Sequence, residues 1–212
     1  MATRETAREK LVRLTRIERE LWSRGEQVAG MDEVGRGPLA GPVVTACIVI
    51  PEHKLVEGVD DSKKLSEKKR EALFDALVEA ADYLEFGWVE PKVIDQINIL
   101  NATRLAMEQA ACGAAGAYFL VDAMKDLSLP GFTQSIVHGD AESYMIGAAS
   151  IVAKVKRDRY MERLDEQYPQ YGFKKNKGYG TAQHIAAIRE YGPCPEHRMS
   201  FIQKFLPEGW KA

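Results

Sequence analysis

Three observations predict a mixed α/β fold, in which one sheet carries helices on its faces and a helical C-terminal part follows. Apolar and amphipathic segments succeed one another as three strands, helices, two strands and a long helix. The second strand, 43–50, is apolar on both faces, which is typical of the centre of a sheet. The chain has 212 residues, 45% of them hydrophobic, which is enough for one domain with a substantial core.

The first 27 residues differ from the rest and are interpreted as an N-terminal helical extension. An apolar stripe at steps of three and four residues predicts one helix over 3–24, ended by Gly25. The stripe consists of Leu11, Leu14, Ile17 and Leu21. Residues 28–212 then form the main domain.

Within that domain the pattern predicts five strands and five helical segments. Strands 28–34, 43–50 and 83–89 have short connections, which favours an antiparallel meander. The other two strands are predicted at 117–121 and 133–137. The helices are predicted at 66–81, 91–115 with a break near Asn98, 143–164, 181–190 and 197–206. Residues 168–179 are expected to form a Gly/Lys/aromatic loop that flanks a groove.

Composition narrows the classes of function. The net charge of −2 argues mildly against a generic nucleic-acid binder, although residues 153–159 and 172–178 are locally basic. No apolar run approaches the ~20 residues that span a bilayer, so no membrane association is expected. The three cysteines are scattered, which favours reduced thiols in a cytoplasm. We expect a cytoplasmic monomer.

Acidic residues recur where predicted strands end. Asp32 and Glu33 follow the first strand, Asp122 the fourth and Asp140 the fifth. If these strands are neighbours, four carboxylates meet at one rim of the sheet, and two divalent cations would offset their repulsion. Oxygen ligands favour Mg²⁺ or Mn²⁺, and such ion pairs suit phosphodiester cleavage. Each of these acids could instead be an ordinary turn or cap residue.

Adjacent side chains of a strand point to opposite faces, which is an obstacle for the acidic pair. Asp32 and Glu33 can serve one site only if the strand bends there or if one of them contributes a backbone oxygen. The glycines on both sides of Arg36 make a bend plausible and let the backbone approach a ligand closely.

An ordered series of motifs resembles bacterial ribonuclease HII, the type 2 ribonuclease H family. The first block is Gly-Met-Asp-Glu-Val-Gly-Arg-Gly-Pro-Leu-Ala-Gly-Pro at 30–42. The later blocks lie at 60–65, 121–122, 139–140, 148–158, 178–181, 184 and 197–201, in the family's order and spacing. His138 stands where a lysine is commoner in the family.

The resemblance implies a ribonuclease H-like five-stranded sheet in a catalytic domain over 28–212. It also implies hydrolysis of the RNA strand of RNA–DNA hybrids and cutting at single ribonucleotides in duplex DNA, with 5′-phosphate products. The family's metal-binding, catalytic carboxylates fall on Asp32, Glu33, Asp122 and Asp140, which are expected to hold two Mn²⁺ or Mg²⁺ ions.

The resemblance also assigns substrate contacts. The backbone of Gly35, Arg36 and Gly37 is expected to contact the ribose 2′-hydroxyl, which separates RNA from DNA. Tyr179 is expected to stack on the sugar 3′ to the ribonucleotide, although it could be a packed loop aromatic.

The basic motifs have two interpretations each. Ser62, Lys63 and Lys64 could bind backbone phosphate or form a loop with solvated lysines. Lys154 and Arg157 could hold phosphates or belong to a surface row of ion pairs. His184 and the pair His197-Arg198 could be functional, but for both histidines we expect structural hydrogen bonds.

Two alternative functions stay open. A ribonuclease HIII-like enzyme would prefer runs of ribonucleotides and carry an N-terminal sheet domain, for which residues 1–27 are too few and too helical. A non-catalytic hybrid-binding module would bind without cleaving, and the four intact acids count against it.

Overall fold

A five-stranded mixed sheet forms the centre of the computed structural model, which describes residues 5–207 and 210. Its strands are β1 (Val28–Val34), β2 (Val43–Val49), β3 (Tyr83–Val89), β4 (Tyr118–Asp122) and β5 (Phe132–Ile136). The order across the sheet is β3-β2-β1-β4-β5. The first three strands are antiparallel neighbours, whereas β4 runs parallel to both β1 and β5. The predicted mixed five-stranded sheet and its meander are confirmed.

Helices cover both faces of this sheet. The helices are α1 (Ala7–Leu14), α2 (Arg16–Trp22), α3 (Glu67–Ala80), α4 (Pro91–Ala111), α5 (Gly139–Glu142), α6 (Tyr144–Gln167), α7 (Phe173–Asn176), α8 (Ala182–Tyr191) and α9 (Met199–Ile202). The predicted break in α4 lies at Asn98, whose φ of 65° is not helical. Among the described residues, no helix is both long and apolar enough to cross a membrane.

Successive side chains of β1 point to opposite faces of the sheet, which determines the core in which each one packs. Val28 packs in the core under α6, whereas Ala29 and Met31 pack in the core under α4. The start of α6 crosses β1 at Gly30, where a Cβ atom would lie 2.1 Å from the carbonyl carbon of Met145. Only glycine permits this approach, and it brings the first turns of α6 onto the strand that carries the acidic pair.

The N-terminal segment joins the main core. Its predicted single helix is divided into α1 and α2 at Thr15, whose φ and ψ depart from helical values. Leu14 and Leu21 are buried in the same cluster as Val28 and Tyr144. Residues 3 and 4 of the predicted helix lie outside the described residues.

The C-terminal part has more structure than predicted at 168–179 and less at 197–206. The expected loop contains a 3-10 turn, Pro169–Tyr171, and α7. Its aromatic side chains Tyr171 and Phe173 do not flank a groove, because they are buried in a third hydrophobic cluster with Ile188 and Ile202. The expected last helix is reduced to α9 and a 3-10 turn, Gln203–Phe205.

Candidate active site

A cavity of about 240 Å³ opens where β1 continues past the end of β4. The pairing of β1 with β4 reaches Met31 and Val121, whereas its pairing with β2 continues to Val34. One side of β1 is therefore open from residue 32 onward. Three of the four predicted carboxylates line this cavity, namely Asp32, Glu33 and Asp122.

The parallel register of β1 and β4 places Asp32 beside Asp122. Both follow the last paired residues, and alternation puts both side chains on the α6 face. Asp32 is buried, and this burial, together with the charges of Glu33 and Asp122, raises its pKa well above the ordinary value. Burial also raises the pKa of Asp122. The Gly139 N–H donates a hydrogen bond of 2.7 Å to Asp122 Oδ1, and this bond opposes the rise in pKa.

Glu33 lines the cavity together with Asp32. Residues 30–34 keep regular antiparallel pairing with β2, so no bulge interrupts β1 before the glycine turn. Glu33 Oε1 lies 3.4 Å from Arg36 Nη1, and the Glu33 N–H donates to Asp32 Oδ1 at 2.8 Å. Burial raises the pKa of Glu33, and the charge of Arg36 opposes this rise.

Asp140 stands at the edge of this group. It lies in α5 and is buried, and it is not one of the residues that line the cavity. Its charge contributes to the raised pKa of Asp122. Asp140 Oδ2 lies 3.4 Å from Lys63 Nζ, and although burial lowers the pKa of Lys63, the charge of Asp140 raises it overall.

The four acids are neighbours, but they do not form a ready metal cage. Within residues 5–207 and 210, no three side chains among His, Cys, Asp and Glu are grouped so that they could hold a metal ion. Lys63 and Arg36 instead contact two of the acids. The donor set still fits a hard divalent cation, because it consists of carboxylate oxygens, and burial and mutual repulsion raise the pKa values of Asp32, Glu33 and Asp122. Asp32, Glu33, Asp122 and Asp140 are the residues that could hold such ions.

Two buried arginines fix the glycine-rich turn that borders the cavity. Arg198 donates five hydrogen bonds of 2.5–3.0 Å to the carbonyl oxygens of Gly35, Arg36, Pro38 and Gly41. Arg157 donates to the carbonyl oxygens of Ala40, Pro42 and Lys177. Gly35 has a φ of 93°, and a Cβ atom there would lie 2.4 Å from Arg157 Nε. Apart from the bond to Lys177, these bonds use carbonyl oxygens of the turn and none of its N–H groups.

This arrangement contradicts the predicted phosphate contact of Arg157. Its side chain is fully buried, and burial lowers its pKa to about 10. Its guanidinium is occupied by three backbone carbonyls and does not reach the surface. The partner in that prediction, Lys154, does line the cavity, where it contacts Asp158 at 2.5 and 2.6 Å.

The 60–65 loop brings two of its three predicted residues to the cavity. Ser62 is buried, and its Oγ lies 2.9 Å from Ser150 Oγ of α6, which also contacts Asp32. Lys63 lines the cavity with Ser62, whereas Lys64 does not. The Lys64 side chain is 62% exposed and lies 3.8 Å from Asp61.

Tyr179 lines the cavity opposite the glycine turn and is 46% exposed.

The backbone of Tyr179 ends a chain of hydrogen bonds through two buried histidines. The Cys194 N–H donates to His197 Nδ1 at 3.0 Å, so the proton of His197 lies on Nε2 and is donated to His184 Nε2 at 3.0 Å. His184 Nδ1 then donates to the Tyr179 carbonyl at 2.9 Å. Both rings are therefore neutral, which agrees with the structural role expected for them.

Ser150 is a neighbour of the candidate site that the sequence did not identify, and Arg198 is one whose partners the sequence left open. Both stood inside quoted motifs, Ser150 at 148–158 and Arg198 at 197–201. No local pattern could reveal their partners, because Arg198 contacts carbonyls about 160 positions away.

Comparison with known proteins agrees with this architecture. Residues 29–204 match the family model described as Ribonuclease HII. Ribonuclease HII of Acetivibrio thermocellus is 48% identical over 192 residues, which cover 89% of this chain and 75% of that protein. Ribonuclease HII of Geobacillus thermodenitrificans is 50% identical over 201 residues, which cover 93% of this chain and 77% of that protein. The solved PCNA:RNase HII complex from Archaeoglobus fulgidus contains a similar chain, with a TM-score of 0.72 and 25% identity. The match covers 87% of this chain and 98% of that chain.

Proposed function

The chain belongs to the ribonuclease HII family of ribonuclease H enzymes, and from this premise we propose that it cuts at single ribonucleotides in duplex DNA as well as hydrolysing the RNA strand of RNA–DNA hybrids. One observation carries the proposal. The carboxylates Asp32, Glu33 and Asp122 share one cavity with the 35–37 turn and Tyr179. A cluster of acids and a turn that can read a ribose are thus close enough to act on the same nucleotide.

The carboxylates of Asp32, Glu33, Asp122 and Asp140 would hold two divalent cations, Mn²⁺ or Mg²⁺. When bound, such cations supply activation of water and neutralisation of the phosphate charge. The raised pKa of Asp32 supports this role, because a buried carboxylate surrounded by other acids gains from a nearby cation. The expected products carry 5′-phosphate and 3′-hydroxyl ends.

The remaining cavity residues would position the nucleic acid. The N–H groups of Gly35, Arg36 and Gly37 would meet the ribose 2′-hydroxyl, while Arg198 holds the carbonyls on the other side of the turn. Tyr179 would stack on the next sugar. Backbone phosphates would contact three lysines at or near the cavity, namely the exposed Lys63, the half-buried Lys154 and, further out, Lys64.

The decisive experiment replaces one carboxylate and matches it with a nearby control. We expect Asp122→Asn to abolish Mn²⁺-dependent cleavage of a duplex with one ribonucleotide, because the amide cannot supply the lost charge. The control is Asp126→Asn, since Asp126 lies four residues away, is 84% exposed and pairs with Arg104. Wild-type cleavage by Asp122→Asn would refute the role of Asp122.

Substrate choice tests the finer part of the proposal. Cleavage of a run of four ribonucleotides but not of one would instead indicate a ribonuclease HIII-like preference. That the protein acts as a cytoplasmic monomer stays a prediction. The three free thiols are typical of a reducing compartment and do not bear on the oligomeric state.

A further inference from the structure

A buried carboxylate outside the cavity has no role in the proposed chemistry. Glu18 of α2 is fully buried, and burial raises its pKa. Its Oε1 accepts hydrogen bonds from Ser143 Oγ at 2.6 Å and from the Met145 N–H at 3.0 Å. Its Oε2 has no hydrogen-bond partner among the described residues. A buried carboxylate with so few partners costs free energy, so its contacts need an explanation.

The contacts of Glu18 hold the corner between α5 and α6. Ser143 caps α6, because its Oγ accepts from the Ile146 N–H at 3.2 Å. The Ser143 N–H also donates to the Gly139 carbonyl at 2.8 Å, which closes α5. Asp140 lies inside this short helix, so whatever fixes Ser143 also limits where Asp140 can lie.

A second contact from the N-terminal helices reaches the same corner. Arg13 Nη1 of α1 donates to the carbonyl of Ala141, the residue after Asp140, at 3.1 Å. On the other side, a Cβ atom at Gly147 of α6 would lie 3.2 Å from the Asp140 carbonyl, so α6 packs closely against α5. Arg13 and Glu18 both precede the segment 29–204 that matches the family model.

We propose that Glu18 is a positioning residue for Asp140: it anchors the α5–α6 corner to the N-terminal helices and so keeps the Asp140 carboxylate beside Asp122. The inference rests on the proposed function, in which Asp140 helps to hold divalent cations. It gives α1 and α2 a part in building the active site, in addition to covering the core.

The test compares two substitutions of Glu18. Glu18→Leu removes both hydrogen bonds and preserves bulk, whereas Glu18→Gln retains an acceptor oxygen. We expect Glu18→Leu to weaken Mn²⁺ binding, measured by calorimetry without substrate, and to lower kcat, each about tenfold, because supporting contacts around ligand residues have effects of that size. KM for the duplex should change less than about twofold, since the substrate contacts are intact. Glu18→Gln should restore most of both quantities.

Matched controls separate positioning from general damage. Glu20 lies on the same helix but is exposed and pairs with Arg24, so Glu20→Leu should leave Mn²⁺ affinity and kcat unchanged. If Glu18→Leu does not fold, Arg13→Ala gives the second test, because Arg13 is 46% exposed. It should weaken Mn²⁺ binding, while Glu5→Gln, which removes only the ion pair of Arg13, should not.

Three results would overturn the proposal. The first is a folded Glu18→Leu protein with wild-type Mn²⁺ affinity and kcat. The second is a rise in KM alone, which would mean that these helices contact the nucleic acid. The third is unchanged Mn²⁺ affinity in Arg13→Ala when Glu18→Leu cannot fold. A wild-type protein that cleaves nothing would refute the proposed function, whereas a cleaving wild type with an unaltered Glu18→Leu variant would refute the positioning alone.

Discussion

Replacing Arg198 by lysine should loosen the glycine-rich turn at 35–37, for which we propose a contact with the ribose. Arg198 donates five hydrogen bonds to four carbonyls of residues 35–41, with a guanidinium that is fully buried. Lysine has one nitrogen and three donors, and it cannot span the same set of acceptors. At least two of the five charge-assisted bonds are then lost, so Arg198→Lys should lower the free energy of unfolding by about 4 kcal/mol.

That loss should be visible as a fall in Tm of about 10 °C for a protein of this size. The displaced turn should also lower kcat/KM on a duplex with one ribonucleotide by about tenfold or more, because small misplacements of positioning groups are costly. Arg189→Lys is the matched control, since Arg189 is exposed on α8. Thermal unfolding and initial-rate assays measure both effects. An Arg198→Lys protein with wild-type Tm and kcat/KM would show that the guanidinium does not fix the turn.

Two further predictions concern pH and salt. Burial, followed by the charge of His184, lowers the pKa of His197 from 6.5 to about 4. Between these two pH values the unfolded chain binds a proton that the folded chain does not bind. The free energy of unfolding therefore falls as the pH falls. Relative to His197→Gln, the wild-type free energy of unfolding in urea should drop by about 2 kcal/mol from pH 7 to pH 5; parallel pH profiles would refute the neutral histidine pair. Lys154→Ala should weaken binding to an RNA–DNA hybrid and lower the slope of the logarithm of the binding constant against the logarithm of the salt concentration by about 1. The control Lys92→Ala, at an exposed lysine, should change neither quantity. Equal slopes in the two variants would exclude a phosphate contact of Lys154.

Patterns of neighbouring residues were enough to predict the sheet and its long helices. Alternation and apolar runs located all five strands within about two residues, because a strand in a sheet must present its side chains to alternate faces. The helix that follows Asp140 was equally clear. Predictions failed where distant packing decides the structure. Tyr171 and Phe173 form a buried turn because they pack against Ile188 and Ile202, which no local window contains.

The acids, the glycine turn and the family motifs could be recognised before the fold was known, since each is a short pattern of residue types at fixed spacing. What those residues contact became clear from the folded chain. It placed Asp32 beside Asp122 through the register of two parallel strands, and it buried Arg157 under the turn instead of exposing it to phosphate. It also brought Glu18 to the corner that carries Asp140. Burial and hydrogen-bond partners depend on segments far apart in the chain, whereas spacing along the sequence constrains only near neighbours.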